Sequence, residues 1–199
     1  MFNTFLNMPY IPYNIIAYLM KNSQAENFWK LLYYNTPDCL SKPNLTLAQK
    51  SALIWSPKQT DNGLVLPDRQ GDYSIFLTYL VGNMEIEART VMKLYQYKNK
   101  PVDFTTATVQ YAFDILMGQK IAIIDYNGVP CNRAEVIEAE LLSCLNGADV
   151  SGAGYLQFNG KLDGAHEAQA RFDIGNNSTF TGISFLMGIQ IIGVQNGQC

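Results

Sequence analysis

The sequence predicts an α+β fold: a mixed or antiparallel sheet built on one long hairpin (about 84–117), packed against helices and led into by a helical region. Three observations carry this. Residues 84–117, MEIEARTVMKLYQYKNKPVDFTTATVQYAFDILM, alternate with a period of two on either side of a polar break. Residues 13–34 instead place apolar side chains at helical spacing. A third segment, 132–147, opens on a helix-capping residue and closes on Asn146-Gly147, the expected bounds of one helix.

Residues 1–11 (MFNTFLNMPYI) mix apolar and polar residues without period and read as an extended arm; residues 12–199 read as one domain, helical over 12–55 and sheet-rich over 73–199. Pro12 suits a first helical turn, where its missing N–H is no loss. The run of Ile15, Ile16, Leu19 and Met20, then Phe28, Trp29, Leu31 and Leu32, is interrupted by Lys21-Asn22-Ser23-Gln24, a place to split into two helices. Thr36-Pro37-Asp38 ends the run. Thr46 with Gln49 forms a capping-box pattern that starts another helix, expected to run to about Trp55.

Residues 56–71 are rich in turn formers, with one short strand expected around Leu64-Val65-Leu66. Tyr73–Val81 is apolar on both faces and reads as a central strand. In the hairpin, Met84, Ile86, Ala88, Thr90, Met92 and Leu94 are expected on the core face, with Val109, Tyr111, Phe113, Ile115 and Met117. Glu85, Glu87, Arg89, Val91, Lys93 and Tyr95 are expected on a mostly wet face, and Lys98-Asn99-Lys100-Pro101 supplies the turn. Ile121–Ile124 reads as a short strand ending in the tight turn Asp125–Gly128. The helix begun at Asn132 puts Ala134, Ile137, Leu141, Cys144 and Leu145 inward and Glu135, Glu138 and Glu140 outward. Strands are expected again at Tyr155–Phe158 and Thr181–Val194, with 159–177 an exposed loop or loosely ordered hairpin.

At 199 residues the chain buries roughly 70% of its unfolded surface, enough for a core without staples. Cys39, Cys131, Cys144 and Cys199 show no short regular spacing and read as free thiols. Neither a leader nor a membrane span is expected, so the chain reads as soluble. Charged residues make up 16%, against about 25% in ordinary soluble domains, and Tyr and Phe number twelve and ten. Tyrosine joins an apolar body to a polar tip and suits surfaces that a partner buries, so this balance favours extensive contact with other chains over a monomer with a thick core. A net charge of −3 gives no global reason for nucleic-acid binding.

No catalytic constellation stands out. Gly152-Ala153-Gly154 follows a helix and precedes a strand, the reverse of a dinucleotide fingerprint, and reads as a turn. His166 is the only histidine; with Asp163 and Glu167 it reads as a solvated loop, which excludes paired-histidine chemistry. There is no G-x-S-x-G, and no cysteine lies near His166 in sequence. No cofactor is expected. The candidate interface residues are Phe2, Phe5, Tyr10, Tyr95, Tyr97, Lys98 and Lys100. Lys93, Lys98, Lys100 and Lys120 with Tyr95 and Tyr97 form a basic–aromatic cluster at the hairpin tip. It would suit non-specific proximity to DNA, although a solvated loop is the favoured reading.

The order of a long hairpin (MKLYQYKNKPVDF, then TVQYAFDILM), a capped helix (NRAEVIEAELLSCLNG) and a glycine-bracketed strand (GAGYLQF) resembles the head–tail joining and tail-terminator (neck) proteins of tailed bacteriophages. The resemblance covers the middle of the chain; the long helical lead and the long later strand depart from it. It implies an α/β subunit that packs a sheet against helices, oligomerises into a ring and has no catalytic residues. The implied function is that of a non-enzymatic virion protein, assembled in the bacterial cytoplasm, forming a ring at the head–tail junction or tail terminus. Its implied partners are copies of itself and portal, adaptor or tail-tube proteins, without a membrane. The alternatives are a capsid-decoration or fibre-attachment protein, and a small α/β enzyme or ligand-binding domain.

Overall fold

The computed structural model describes residues 5–56, 58–61, 63–65, 73–79, 89–103, 106–150, 154–158, 169–174 and 180–192. Its centre is a five-stranded mixed sheet with strand order β3-β4-β5-β9-β8. These strands are β3 (Ile75–Phe76), β4 (Thr90–Pro101), β5 (Thr106–Gly118), β8 (Gln169–Ile174) and β9 (Phe180–Ile192). Among the described strands of this sheet, β3 runs parallel to its neighbour β4 and the other strand pairs are antiparallel. Two small hairpins stand apart, β1–β2 (Lys58–Thr60, Gly63–Val65) and β6–β7 (Ile123–Tyr126, Val129–Asn132).

Helices α1 (Ile11–Lys21), α2 (Glu26–Tyr33), α3 (Leu47–Ala52) and α4 (Arg133–Leu145) complete the fold. The helical lead splits where expected: Asn22 leaves the helix and its side chain accepts a hydrogen bond from Gln24 N at 2.9 Å. The capping box at Thr46 forms in full, but α3 ends at Ala52 rather than near Trp55. Leu53, Ile54 and Trp55 instead run beside β3: Leu53 O accepts from Ile75 N at 2.9 Å, and Trp55 N donates to Ile75 O at 2.9 Å. That pairing covers the outer edge of β3.

Helices lie on one face of the sheet because the alternation there is apolar through three adjacent strands. Leu94, Phe113 and Phe185 form one row across β4, β5 and β9, with Met92, Ile115 and Ile183 beside it. All six are buried, and the Phe113 and Phe185 rings stack at 4.9 Å and 7°. Ile15, Leu19, Phe28, Trp29, Leu31, Ile137, Leu141 and Leu145 close the core from above. Fully burying one such side chain is worth about 1.5–3 kcal/mol. Polar contacts then fasten the helices to one another. Trp29 Nε1 donates to Leu19 O at 3.1 Å, and Asn27 Nδ2 donates to Glu140 Oε1 at 3.0 Å. Lys50, almost wholly buried, pairs with Glu26 and sits 5.7 Å over the Trp29 ring.

Arg133 is the largest polar side chain in the interior. Its guanidinium donates to Ile121 O (2.8 Å), Leu31 O (2.8 Å), Tyr34 O (2.7 Å) and Thr36 O (2.9 Å). The carbonyls at the end of α2 carry the negative pole of that helix, so a buried cation finds its counter-charge in backbone dipoles. Burial still works against the charged form and lowers the Arg133 pKa.

Several expectations are corrected. Residues 5–10, expected within an extended arm, form a 3₁₀ helix that leads straight into α1, and Ile11 is fully buried. Tyr73–Val81 contributes a two-residue edge strand, not a central one: Ile75 faces the helices while Phe76 packs on the opposite side with Val91 and Leu116. That second apolar patch, flanked by Trp55 and Tyr73, means the hairpin's other face is not simply wet. Thr108, Gln110 and Ala112 on that face are buried as well. The hairpin does not turn at Lys98–Pro101, where each residue pairs with β5. The chain turns beyond it: Val102 N donates to Thr106 O at 2.8 Å, and Asp103 Oδ1 accepts from Thr106 N at 2.7 Å. Glu138, expected outward, is buried on α4. Tyr155–Phe158 makes isolated bridges to Asp149 and Gly188 instead of a strand. Within 159–177, residues 169–174 form β8. The expectations for Met84–Ala88, Gly152, Ala153, Asp163, His166, Glu167 and Cys199 lie outside the described residues.

Candidate interaction surface

The β-bulge between Gln96 and Lys98 shapes the candidate surface. Before it, Val91, Lys93 and Tyr95 pair with Leu116, Asp114 and Ala112 on the face turned away from the helices. A bulge gives one strand an extra residue and reverses its parity. After it, Lys98 and Lys100 pair with Gln110 and Thr108 and so continue the same row. Tyr97 occupies the extra position and is 59% exposed.

Tyr95 is held rather than free. Its hydroxyl donates to Asp114 Oδ2 at 2.9 Å, and Ser184 Oγ donates to Asp114 Oδ1 at 2.6 Å, so both carboxylate oxygens are satisfied. Burial first, and then the Asp114 hydrogen bond, push the Tyr95 phenol well above its ordinary range. Tyr79, 62% exposed, lies against it with ring centroids 5.8 Å apart. Two clustered tyrosines, one anchored and one open, form a rigid aromatic step at the sheet surface.

The other candidates do not join this group. Met8 O accepts from the Tyr111 hydroxyl at 3.1 Å, which places residues 5–10 over the helix side of the hairpin. Tyr10, 64% exposed, therefore belongs to the opposite side of the sheet from Tyr95, Lys98 and Lys100. Phe5 begins the 3₁₀ helix, and Phe2 lies outside the described residues. Lys120 follows the end of β5, about 27 Å of strand away from Gln110 and Lys98, so it leaves the basic cluster. An antiparallel hairpin sends the end of its second strand to the base, not the tip.

Sequence reasoning missed Asp114, Ser184, Tyr79 and Arg133. Asp114 was visible as the one acidic residue within an otherwise uncharged strand, opposite Lys93; its partners came from strands distant in sequence. Among the described residues, no group of three or more His, Cys, Asp or Glu could hold a metal ion. Cys39, Cys131 and Cys144 are free, and burial raises the thiol pKa of Cys39 and Cys144, away from nucleophile chemistry. No helix among the described residues is long and apolar enough to cross a membrane.

Comparison with known proteins adds one finding. Residues 25–187 match the family model YomW. The chain is a member of the YomW family. YomW is a phage-associated family, and the chain has a mixed α+β fold. The YomW match spans α2, the hairpin and α4 and reaches into β9. No curated protein and no solved structure matches the chain.

Proposed function

We propose that this YomW-family chain is a non-enzymatic structural subunit of a tailed-phage particle, forming a ring at the head–tail junction or tail terminus. The observation that carries the reading is the hairpin: its base is locked in the core, while β4 from Gln96 onward is exposed at every residue. A strand anchored at one end and unburied at the other suits a reach toward a neighbouring subunit. Exposed Tyr13, Tyr79, Tyr97 and Tyr155 and the low content of charge provide surfaces that subunit contact would bury. Ring closure makes many such weak contacts cooperative and fixes both a pore and a docking surface. The membership of a phage-associated family supports the setting.

The test is native mass spectrometry of the purified protein over rising concentration, with reconstruction of particles carrying a tagged copy. The expected result is closed multiples of 22.3 kDa, in solution or as a symmetric ring in the neck or tail end. A chain that stays monomeric and is missing from purified particles overturns the reading.

A further inference from the structure

We propose that Asn127-Gly128, the turn of the β6–β7 hairpin, is a site of spontaneous deamidation in the folded protein, whereas the same dipeptide at the end of α4, Asn146-Gly147, is protected. The inference does not depend on the ring reading. Tyr126 pairs with Val129, so the two residues between them make up the whole loop. Both have positive φ, 56° at Asn127 and 82° at Gly128, as a type I′ turn requires, and both are exposed. The reaction closes a ring between the two residues. Gly128 N adds to Asn127 Cγ, and its proton leaves with the side-chain nitrogen as ammonia. Water then opens the resulting imide at either carbonyl, giving aspartate or isoaspartate. Water is the one co-reactant. The glycine matters because no side chain hinders the attacking nitrogen.

The two sites share a sequence and differ in what holds them. Gly128 N donates to Asp125 Oδ1 at 2.7 Å, an exposed carboxylate that can take up the proton the nitrogen must lose. Among the described residues the Asn127 side chain makes no hydrogen bond, so its carboxamide is at liberty to turn toward that nitrogen. At the other site Asn146 Oδ1 accepts from Phe158 N at 3.0 Å, and Gly147 N donates to Leu156 O at 2.7 Å. A peptide carbonyl cannot act as a base here, and both bonds must open before nitrogen and amide carbon meet. Leu145 and Leu156, on either side of these bonds, are fully buried, so opening them disturbs the core. The remaining Asn-Gly pairs begin at Asn62, Asn159 and Asn196, which lie outside the described residues. Isoaspartate at position 127 would put an extra backbone carbon into a two-residue loop and so strain the closure of β6 on β7. That hairpin is tied to the helical lead through Asp125 N, which donates to Pro37 O at 2.9 Å, and it runs directly into the cap of α4 at Asn132.

The test is to age the purified full chain at mildly alkaline pH and follow both peptides by mass spectrometry, with an isoaspartate-specific methyltransferase to mark the rearranged product. A parallel sample is aged in urea, where neither turn persists. In the folded protein Asn127 should convert about 30-fold faster than Asn146, the effect of two hydrogen bonds that must open first. In urea the two rates should converge, which separates the influence of structure from that of the dipeptide. Asp125→Asn keeps an acceptor for Gly128 N but removes the base, and should slow conversion at Asn127 about tenfold in the folded protein, with little effect in urea. Asn127→Gly preserves the turn and should abolish the product at this position. Circular dichroism checks that each variant folds. Equal rates at Asn127 and Asn146 in the folded chain overturn the proposal, and so does conversion at Asn127 that Asp125→Asn leaves unchanged.

Discussion

From Thr90 to Leu94, β4 lies between the helices on one side and the Phe76–Val91–Leu116 patch on the other, and all but Lys93 are buried. From Gln96 to Pro101 every residue is exposed. Across the same length β5 is buried from Thr106 to Phe113, because β5 has β4 on one side and β9 on the other. Thr108 is buried while its register partner Lys100 is exposed. Burial therefore follows how many neighbours a strand has and what covers it, not the period-two alternation, which is alike in both halves. The exposed half also carries the devices that discourage stray strand pairing: a bulge, two lysines and Pro101. Since Val102 N points to β5, the alternation of the ladder turns the proline nitrogen outward, where a donor would otherwise stand open.

The sharpest way to break this contrast is to place a carboxylate in each half. Phe113→Asp, in the base, should cost more than about 4 kcal/mol and leave no cooperative thermal transition. Asn99→Asp, in the exposed half, should change stability by less than about 0.5 kcal/mol in urea melts. Similar effects at both sites would refute the division into a fixed base and an open end.

A smaller loss tests what holds the helices over the base. Arg133→Met leaves the carbonyls of Leu31, Tyr34, Thr36 and Ile121 without their donor. The expected cost is about 3–5 kcal/mol, read from urea midpoints. Arg133→Lys should recover little, since a single ammonium cannot span the four acceptors. Full rescue by lysine would mean that charge, not the planar fork, matters.

A milder loss is expected at Tyr111, on the boundary between the halves opposite Gln96. Burial raises its phenol pKa, so the folded state favours the neutral form. Below about pH 10 both states are protonated and this contribution is complete; above it the unfolded chain loses the proton first, and stability falls as pH rises. Tyr111→Phe should lose about 1 kcal/mol at pH 8 with the Met8 hydrogen bond, and should melt with a shallower decline between pH 10 and 12. An unchanged alkaline decline would assign it to other groups.

Much of the framework was legible in the sequence. The α+β class, the split at Asn22, the Thr46 and Asn132 caps, the α4 stripe and the core face from Thr90 through Met117 all rest on local patterns that the structure keeps. What could not be read depends on neighbours far along the chain. Residues 73–81 are apolar on both faces whether a strand is central or is an edge covered by Leu53–Trp55. Lys98-Asn99-Lys100-Pro101 has turn chemistry, yet a bulge lets it stay paired for another four residues. Of the candidate surface, Tyr95, Tyr97, Lys98 and Lys100 were found together, but Lys120 was grouped with them by composition and is separated by topology, and Tyr10, named with the arm, lies on the other side of the sheet.

The place of β9 in the sheet has a consequence for synthesis. β5 is complete at Gly118, but its second partner strand ends only at Ile192, roughly 70 residues later. At about 5–20 residues per second a ribosome needs on the order of 4–15 s to supply it. During that interval the hairpin emerges with one long edge unpaired and Phe113, Ile115 and Met117 lacking half their cover. The helices α1 and α2 are already made by then, so they can shelter the apolar face while the nascent sheet waits for the strand that finishes it.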